Sequence, residues 1–501
     1  MTDNAPVLVA VGQTTYRDKD AGRTPVDAME DAARVALEDA SCPALATAID
    51  TVVTVPFMMN AVPQLAPLMT PNPGALLRDR LGLDAKTYTA GVGGSLPQFF
   101  VNRFADRLVA GECRAVMIAG SELLATLFGA LRAGSDLSAW TAGGEDEAES
   151  LGQDKEMTHP AEHAHGLFEP INVYPLFESA LRHHKGLDSD SHLQRIAAIT
   201  SRASQVAAAN PYAWNQTAMT PEEVLSTDNG NRMISYPYTK VMNAILRVDM
   251  AAAVIMTTAG TARKLGIAGE RLIYLRGGAE AHDVEYFAER VDFHSSPALR
   301  AVGQQALAMS GLTIDDMNLF DLYSCFPSAV QVACDALGLA VDDPRGLTLT
   351  GGLTLFGGPG NNYSLHAIAE MVAGLRERGS GHGLVNANGG YITKHAVGIY
   401  STEPGEWDMA QRVDLQATLD AMPHPELETS PQGRGVIEGH CVRYEGGEPA
   451  LGIIVGRLDN GKRFLAHTSP DPAVLAELIG ADAVGREGTV TPGEDTNLFE
   501  F

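Results

Sequence analysis

Apolar and polar positions along this chain alternate between two periods, and the changes of period mark out its elements. The opening run PVLVAVG is continuous and of strand length, and TPVDAMEDAARVALEDA after it carries apolar residues at helical spacing behind Thr24, with Pro25 in the first turn. A strand followed by a helix opens an α/β unit. Apolar runs at DTVVTVP, KTYTAGV and CRAVMIAGSE predict further strands, with the helix LPQFFVNRFADRLVAG between the last two. This alternation predicts a mostly parallel sheet covered by helices.

From about residue 124 to 243 the pattern changes to Gly, Pro, Trp and acidic residues, including GGEDEAESLGQDKE, with two clear helical stretches, VYPLFESALRHH and SHLQRIAAITSRASQVAAA. This stretch reads as a loop domain folded over the sheet. A strand returns at VDMAAAVIMTT, and a second α/β section runs from RLIYLRGG to AVGIYST. The two sections echo each other: GVGGS, a helix ending at Gly111 and a strand ending at Gly120 match GGPGN, a helix ending at Gly374 and a strand ending at Gly389-Gly390. Past Pro404 the runs become short and strand-like, with Gly-Glu and Asn-Gly turns. The chain therefore divides into an N-terminal half, 1–266, carrying the loop domain 124–243, a C-terminal half, 267–404, and an added β-rich domain, 405–501.

Composition narrows the chemistry. The 501 residues are 45% hydrophobic and 20% charged, a globular mix that buries a large core. A net charge of −26 repels nucleic acid and anionic membranes from the molecule as a whole, so an anionic ligand needs local cations, backbone amides or a helix N-terminus. Five cysteines without CxxC spacing exclude a disulfide framework and a thiolate metal site, and suit a reducing, cytoplasmic setting. No signal-peptide pattern or spanning apolar run is read.

Three glycine-rich elbows follow strands or open helices: Gly91-Val92-Gly93-Gly94-Ser95, Gly357-Gly358-Pro359-Gly360-Asn361 and Asn386-Ala387-Asn388-Gly389-Gly390. Such elbows expose backbone N–H groups to an oxyanion or a thioester carbonyl. They are not a dinucleotide fingerprint, because no GxGxxG follows the first strand. His159, His163 and His165 beside Glu162 are metal-ligand types without a further spaced ligand, so no metal is expected and the segment reads as packing over the site.

In this order the blocks resemble the thiolase superfamily over roughly residues 5–403, nearest the sterol-carrier-type thiolases and the type-1 thiolase-like proteins. TAGVGGS lies where thiolases carry Cys-x-Ser-Gly, VDMAAAVIMTT resembles the DGAAA strand, DLYSCFPSAVQVACDALGL the HDCF block, GGLTLFGGPG the GGxxxxGHPxG block, and NANGG the CxG block. The resemblance implies a duplicated five-layer αβαβα fold, acetyl-CoA acetyltransferase-like chemistry, and coenzyme A or acyl-CoA as a ligand, with no permanently bound cofactor. It implies coenzyme A contacts at Arg232 and Lys240 in the loop domain and at Gly357 and Gly358. It also implies a barrel-like C-terminal extension that makes a monomer more plausible than in ordinary thiolases, and leaves open monomer or dimer and a partner protein completing the site.

The same resemblance exposes losses. Gly91 stands at the nucleophilic cysteine, Gly358 at the GHP histidine and Asn388 at the CxG cysteine, although sterol-carrier-type thiolases also have Asn there. Glycine carries neither an acyl group nor a proton. Tyr323 and Cys325 remain on the HDCF block, and tyrosine at this place resembles the steroid-side-chain aldolases, which use it for proton transfer in carbon–carbon cleavage. Lys394 or His395 is then expected to lower the Tyr323 pKa. The leading expectation is an acyl-CoA-binding protein without ordinary thiolase turnover; the alternatives are a thioester lyase using Tyr323 and a non-catalytic binding subunit.

Overall fold

Thr24 and Asp27 form a reciprocal cap on helix Pro25–Asp39: the Asp27 amide donates to Thr24 Oγ1 at 3.1 Å and the Thr24 amide to Asp27 Oδ2 at 2.7 Å. The first predicted βα unit is therefore in place. The computed structural model describes residues 3–144, 146–152 and 157–501, so parts of the acidic run, residues 145 and 153–156, lie outside the described residues.

The strands, in chain order, are β1 (Pro6–Thr15), β2 (Thr51–Thr54), β3 (Lys86–Ala90), β4 (Ala115–Leu123), β5 (Glu149–Leu151), β6 (Met233–Tyr236), β7 (Tyr238–Thr239), β8 (Asp249–Thr258), β9 (Ile273–His282), β10 (Leu319–Leu322), β11 (His382–Gly389), β12 (Lys394–Ser401), β13 (Gly433–Glu445), β14 (Glu448–Leu458), β15 (Arg463–Thr468), β16 (Glu487–Thr491) and β17 (Leu498–Glu500). Ten of them follow one hydrogen-bonded order, β10-β11-β12-β9-β1-β8-β4-β2-β3-β5. Within it β2–β4–β8–β1 and β10–β11–β12–β9 repeat the same polarity, one parallel pair and then two antiparallel ones. The duplication read from the sequence is thus a duplication of topology.

The sheet is not mostly parallel, as the alternation of elements had suggested. Every pair from β11 through to β4 is antiparallel. Residues 390–393 alone join β11 to β12, too few for a crossover, and β8 enters only after the long excursion.

Helix Pro25–Asp39 packs on β1, β4 and β8, and helix Pro297–Ser310 on β9 and β12. Helices Leu96–Ala110 and Tyr363–Arg378 touch strands of both halves and each other. The layers are therefore αβαβα. On the buried faces of the central helices polar residues have to pair: Gln98 Nε2 donates to Asn102 Oδ1 at 2.9 Å, and the Tyr400 hydroxyl to Gln98 Oε1 at 2.6 Å. Gly398 is obligatory here, because a Cβ would lie 2.2 Å from Gln98 Nε2.

The excursion is more helical than expected, with helices Leu124–Ala133, Pro160–Ala164, Pro170–His184, Ser189–Ala209 and Pro221–Leu225. The near-continuous apolar run of Leu124–Ala133 hides its period. β6 and β7 join the second sheet, β14-β15-β17-β16-β13-β6-β7, in which β14 also pairs with β13 and closes a five-strand barrel. No helix among the described residues is long and apolar enough to cross a membrane.

Arg463 fastens the barrel to the core. It is fully buried; its guanidinium donates to the carbonyls of Ala288 and Arg290, pairs with Glu438 at 2.7 Å, and lies 4.7 Å over the Phe293 ring. Burial pushes its pKa down to about 10, with Glu438 opposing the shift. From the other side Glu162 of the excursion accepts the Ala288 and His159 amides, both at 2.8 Å, and burial pushes its carboxyl up to about 7. A second buried acid, Glu122 at the end of β4, accepts the Met58 amide at 2.6 Å and sits where a Cβ on Gly360 would be. Burial raises it to about 8.

Arg463→Met should destabilise the protein by about 2–4 kcal/mol, since two buried carbonyls lose their donors; urea unfolding measures it, and a change under 1 kcal/mol would contradict the fastening role. For Glu122 the folded pKa lies above the unfolded value of 4.5, so its contribution is present below that value and lost as pH rises through about 8. The melting temperature of wild type should therefore fall relative to Glu122→Gln across that window, and a constant difference would refute the assignment.

Candidate functional site

A cavity of about 340 Å³ opens where the elbow 91–95 meets the ends of β9 and β12. This is the size of a small-molecule site. Leu96, Phe99, Leu151 and Met157 give it an apolar wall; Asp283, Glu285 and His395 stand on the polar wall. Gln416, from the segment leading to the barrel, also reaches it, so both halves, the excursion and the extension share one cavity.

His395, on β12, is 2% exposed. Its Nε2 lies 3.0 Å from the Ile392 carbonyl, 3.1 Å from Ser296 Oγ and 3.6 Å from Asp283 Oδ2. Burial opposes ionisation of Asp283, but Arg290, His395 and Ser296 outweigh it and hold the carboxyl down to about 2. Arg290, also buried, donates to the Ile392 carbonyl at 2.6 Å and the Ser295 carbonyl at 2.7 Å. Lys394 Nζ reaches the Val92 carbonyl at 3.4 Å.

Beside the cavity lies a neutral cluster. A Cβ on Gly94 would be 2.5 Å from the Tyr323 hydroxyl and 2.6 Å from the Asn388 carbonyl, so only glycine lets these groups meet the elbow. The Tyr323 amide donates to Asn386 Oδ1 at 3.4 Å. Tyr174, from helix Pro170–His184, stacks on Phe326 with centroids 4.3 Å apart; its hydroxyl hydrogen-bonds Cys325, donates to the Gly390 carbonyl at 3.2 Å and accepts from Asn388 Nδ2 at 3.4 Å. Burial pushes the Cys325 thiol up to about 12 against the Tyr174 hydrogen bond. Burial, with Cys325 next, also pushes Tyr323 upward.

That direction corrects one expectation. Tyr323 was to be lowered by Lys394 or His395, yet His395 is engaged by Ser296, Asp283 and Ile392, and burial governs the phenol. Gly91 lines the cavity with His395, whereas Tyr323, Cys325 and Asn388 form the adjoining cluster. Gly358 packs near Ala244 and Leu353; Gly357, at φ 122°, packs near Val248 and Met250. Arg232 and Lys240 are exposed, joined by a bond from the Lys240 amide to the Arg232 carbonyl, and line no part of the cavity. The histidine segment packs: His159 Nδ1 accepts the Ala161 amide, His163 stacks on Phe168, and His165 Nε2 accepts the Asn497 amide.

Sequence reasoning missed Tyr174, Asp283, Arg290 and Ser296. Only Ser296 carried a local signal, the Ser-Pro opening of a helix; the others act across long separations.

Comparison with known proteins agrees with this architecture. A family model for the thiolase-like protein type 1 additional C-terminal domain matches residues 414–495. The 3-ketoacyl-CoA thiolase of Salmonella heidelberg (strain SL476) is 31% identical over 162 residues, which cover 29% of this chain and only 35% of that thiolase. An Ltp2-ChsH2(DUF35) aldolase shares the fold at 18% identity and a TM-score of 0.59, over 80% of this chain and 99% of that one. A monomeric SCP2-thiolase like protein type 1 from Mycobacterium smegmatis is 36% identical over 100% of both chains, with a TM-score of 0.84. With the doubled αβαβα core and the closed barrel after it, the chain belongs to the SCP2-thiolase-like proteins of type 1.

Proposed function

We propose that this protein binds acyl-CoA thioesters at a thiolase-type site that has lost the acyl-carrying chemistry of a thiolase. The observation that carries this reading is Cys325: the one thiol of the cluster is buried, carries a pKa near 12, and has a phenol rather than an imidazole beside it. A thiol so placed stays protonated and is a poor nucleophile. At Gly91 and Gly358 there is no side chain to replace it. What the site retains is donors: the elbow at the N-terminus of the 15-residue helix Leu96–Ala110, which suits a thioester carbonyl. Exposed Arg232 and Lys240 are the proposed contacts for the coenzyme's phosphates.

A second reading has one observation in its favour. The Tyr323 hydroxyl touches the elbow at Gly94 and burial keeps it protonated, which suits a proton donor to a carbanion in carbon–carbon cleavage. The fold shared with the aldolase accommodates this reading. A partner protein completing the site belongs to the same possibility.

Calorimetry with coenzyme A, acetyl-CoA and octanoyl-CoA should show binding, weakened by joint Arg232→Ala and Lys240→Ala replacement, while mass spectrometry finds acetoacetyl-CoA intact in the presence of coenzyme A. Thiolysis at an ordinary thiolase rate would overturn the reading. For the lyase alternative, Tyr323→Phe removes only a hydroxyl, and any cleavage activity found should fall at least about tenfold, the loss expected for a positioned acid; undiminished cleavage would rule out the proton-donor role.

A further inference from the structure

One face of helix Leu96–Ala110 runs along the cavity. Leu96, Phe99 and Arg103 all line it, and their spacing of three and then four residues stacks them in a single stripe. Leu96 and Phe99 are partly exposed and Arg103 is exposed, whereas Gln98, Phe100, Val101 and Asn102 between them are buried against the core. The stripe therefore faces open space. Leu151 and Met157, also partly exposed, close it from the excursion.

The opposite wall runs in step with the helix. On β9, His282 lies beside Lys394 of β12 and Glu280 beside Ala396. Lys394 Nζ reaches the Val92 carbonyl of the elbow at 3.4 Å, so His282 marks the elbow end of the cavity. At the other end Glu280 pairs with Arg103 at 3.0 Å and accepts from Asn102 Nδ2 at 2.9 Å, while the Arg103 guanidinium lies 5.3 Å over the Phe99 ring. The apolar stripe thus begins at the elbow and stops at an ion pair. Arg103 follows Leu96 by seven positions, a span of about 10 Å at about 1.5 Å per helical residue.

An extended hydrocarbon chain advances about 1.25 Å per bond, the zigzag projection of a carbon–carbon bond of about 1.5 Å. A span of about 10 Å therefore takes about eight carbons, the terminal methyl included. We propose that this stripe is a chain-length ruler: the cavity takes straight, apolar acyl chains of up to about eight carbons, and the Arg103–Glu280 pair sets the limit. Each methylene short of that pair leaves water for Leu96, Phe99, Leu151 and Met157. Carbons past it meet charged groups at the surface and gain no apolar burial. At about 340 Å³ the cavity is at the small end of ligand sites, room for the acyl part and not for the coenzyme. The inference rests on the proposed function, in which an acyl-CoA binds with its carbonyl at the elbow.

Calorimetry with butyryl-, hexanoyl-, octanoyl-, decanoyl- and dodecanoyl-CoA, each below its micelle concentration, tests the ruler. The dissociation constant should fall about threefold per added methylene up to octanoyl-CoA, a little under the fourfold of complete burial, and stay level from there to dodecanoyl-CoA. Arg103→Leu changes an exposed side chain and puts an apolar group where the charge stood, so the break should move to decanoyl-CoA or beyond. Equal affinities for all the thioesters in wild type, a steady gain through dodecanoyl-CoA, or a break unmoved in Arg103→Leu would overturn the ruler and leave acyl-CoA binding intact. No binding of any thioester would overturn both.

Discussion

Two buried guanidiniums constrain the whole arrangement. Arg290 and Arg463 are 2% and 0% exposed, and burying such a group is unfavourable unless its donors find acceptors. The acceptors are mostly main-chain carbonyls: Ile392 and Ser295 for Arg290, Ala288 and Arg290 itself for Arg463. Carbonyls can serve in this way only where they are not consumed by a helix or a sheet ladder. The segment 287–296 and the turn at 390–393 supply those carbonyls, and the cavity lies next to them, lined by residues 280–285 and 393–395.

The chemistry of the site follows from what this scaffold leaves out. A net charge of −26 and deep burial both discourage an extra anion, and the cluster of Tyr174, Tyr323, Cys325 and Asn388 answers by remaining neutral. Burial raises both phenols and the thiol together. Without a cation or imidazole to hold a thiolate, the groups around the elbow act as hydrogen-bond donors and acceptors and not as nucleophiles. On the polar wall the buried Asp283 carboxylate has the compensating charge of Arg290 3.4 Å away.

What could be read in the sequence was what is decided locally. The Thr24 cap, the helix Leu96–Ala110 after GVGGS and a second helix and strand after the elbow at 357–361 are set by neighbours within a few residues and are present, although the second helix runs through Gly374, where the sequence repeat had ended it, to Arg378 and stops at Gly379. Strand direction was misjudged because the turn between β11 and β12 decides it, not the alternation of elements. The recruitment of β6 and β7 into the barrel sheet pairs Tyr236 with Val442, about two hundred residues apart, and no period reports such a pairing. The site was half legible for the same reason. Gly91, His395, Tyr323, Cys325 and Asn388 belong to blocks with a recognisable order, but Tyr174 reads as one more apolar position in VYPLF. The direction of the Tyr323 shift depends on burial, which the sequence does not carry.

The extension is more than an appendage, because the path from the barrel to the cavity runs through polar contacts that cannot slide independently. Arg463 on β15 holds the carbonyls of 288 and 290; Arg290 holds Ile392 and lies against Asp283; Asp283 and Ile392 surround His395 Nε2. Glu162 grips the Ala288 amide from the excursion, and Gln416 Nε2 donates to the His282 carbonyl at the cavity's edge. Packed apolar surfaces tolerate small shifts, whereas a chain of buried hydrogen bonds loses a partner at each step if one member moves. The barrel therefore acts on the polar wall as a brace, fixing the carbonyls that fix the imidazole. A thiolase-type core without the extension would need some other source of donors for Ala288 and Arg290, and the segment bearing Asp283 and Arg290 would be free to take another path.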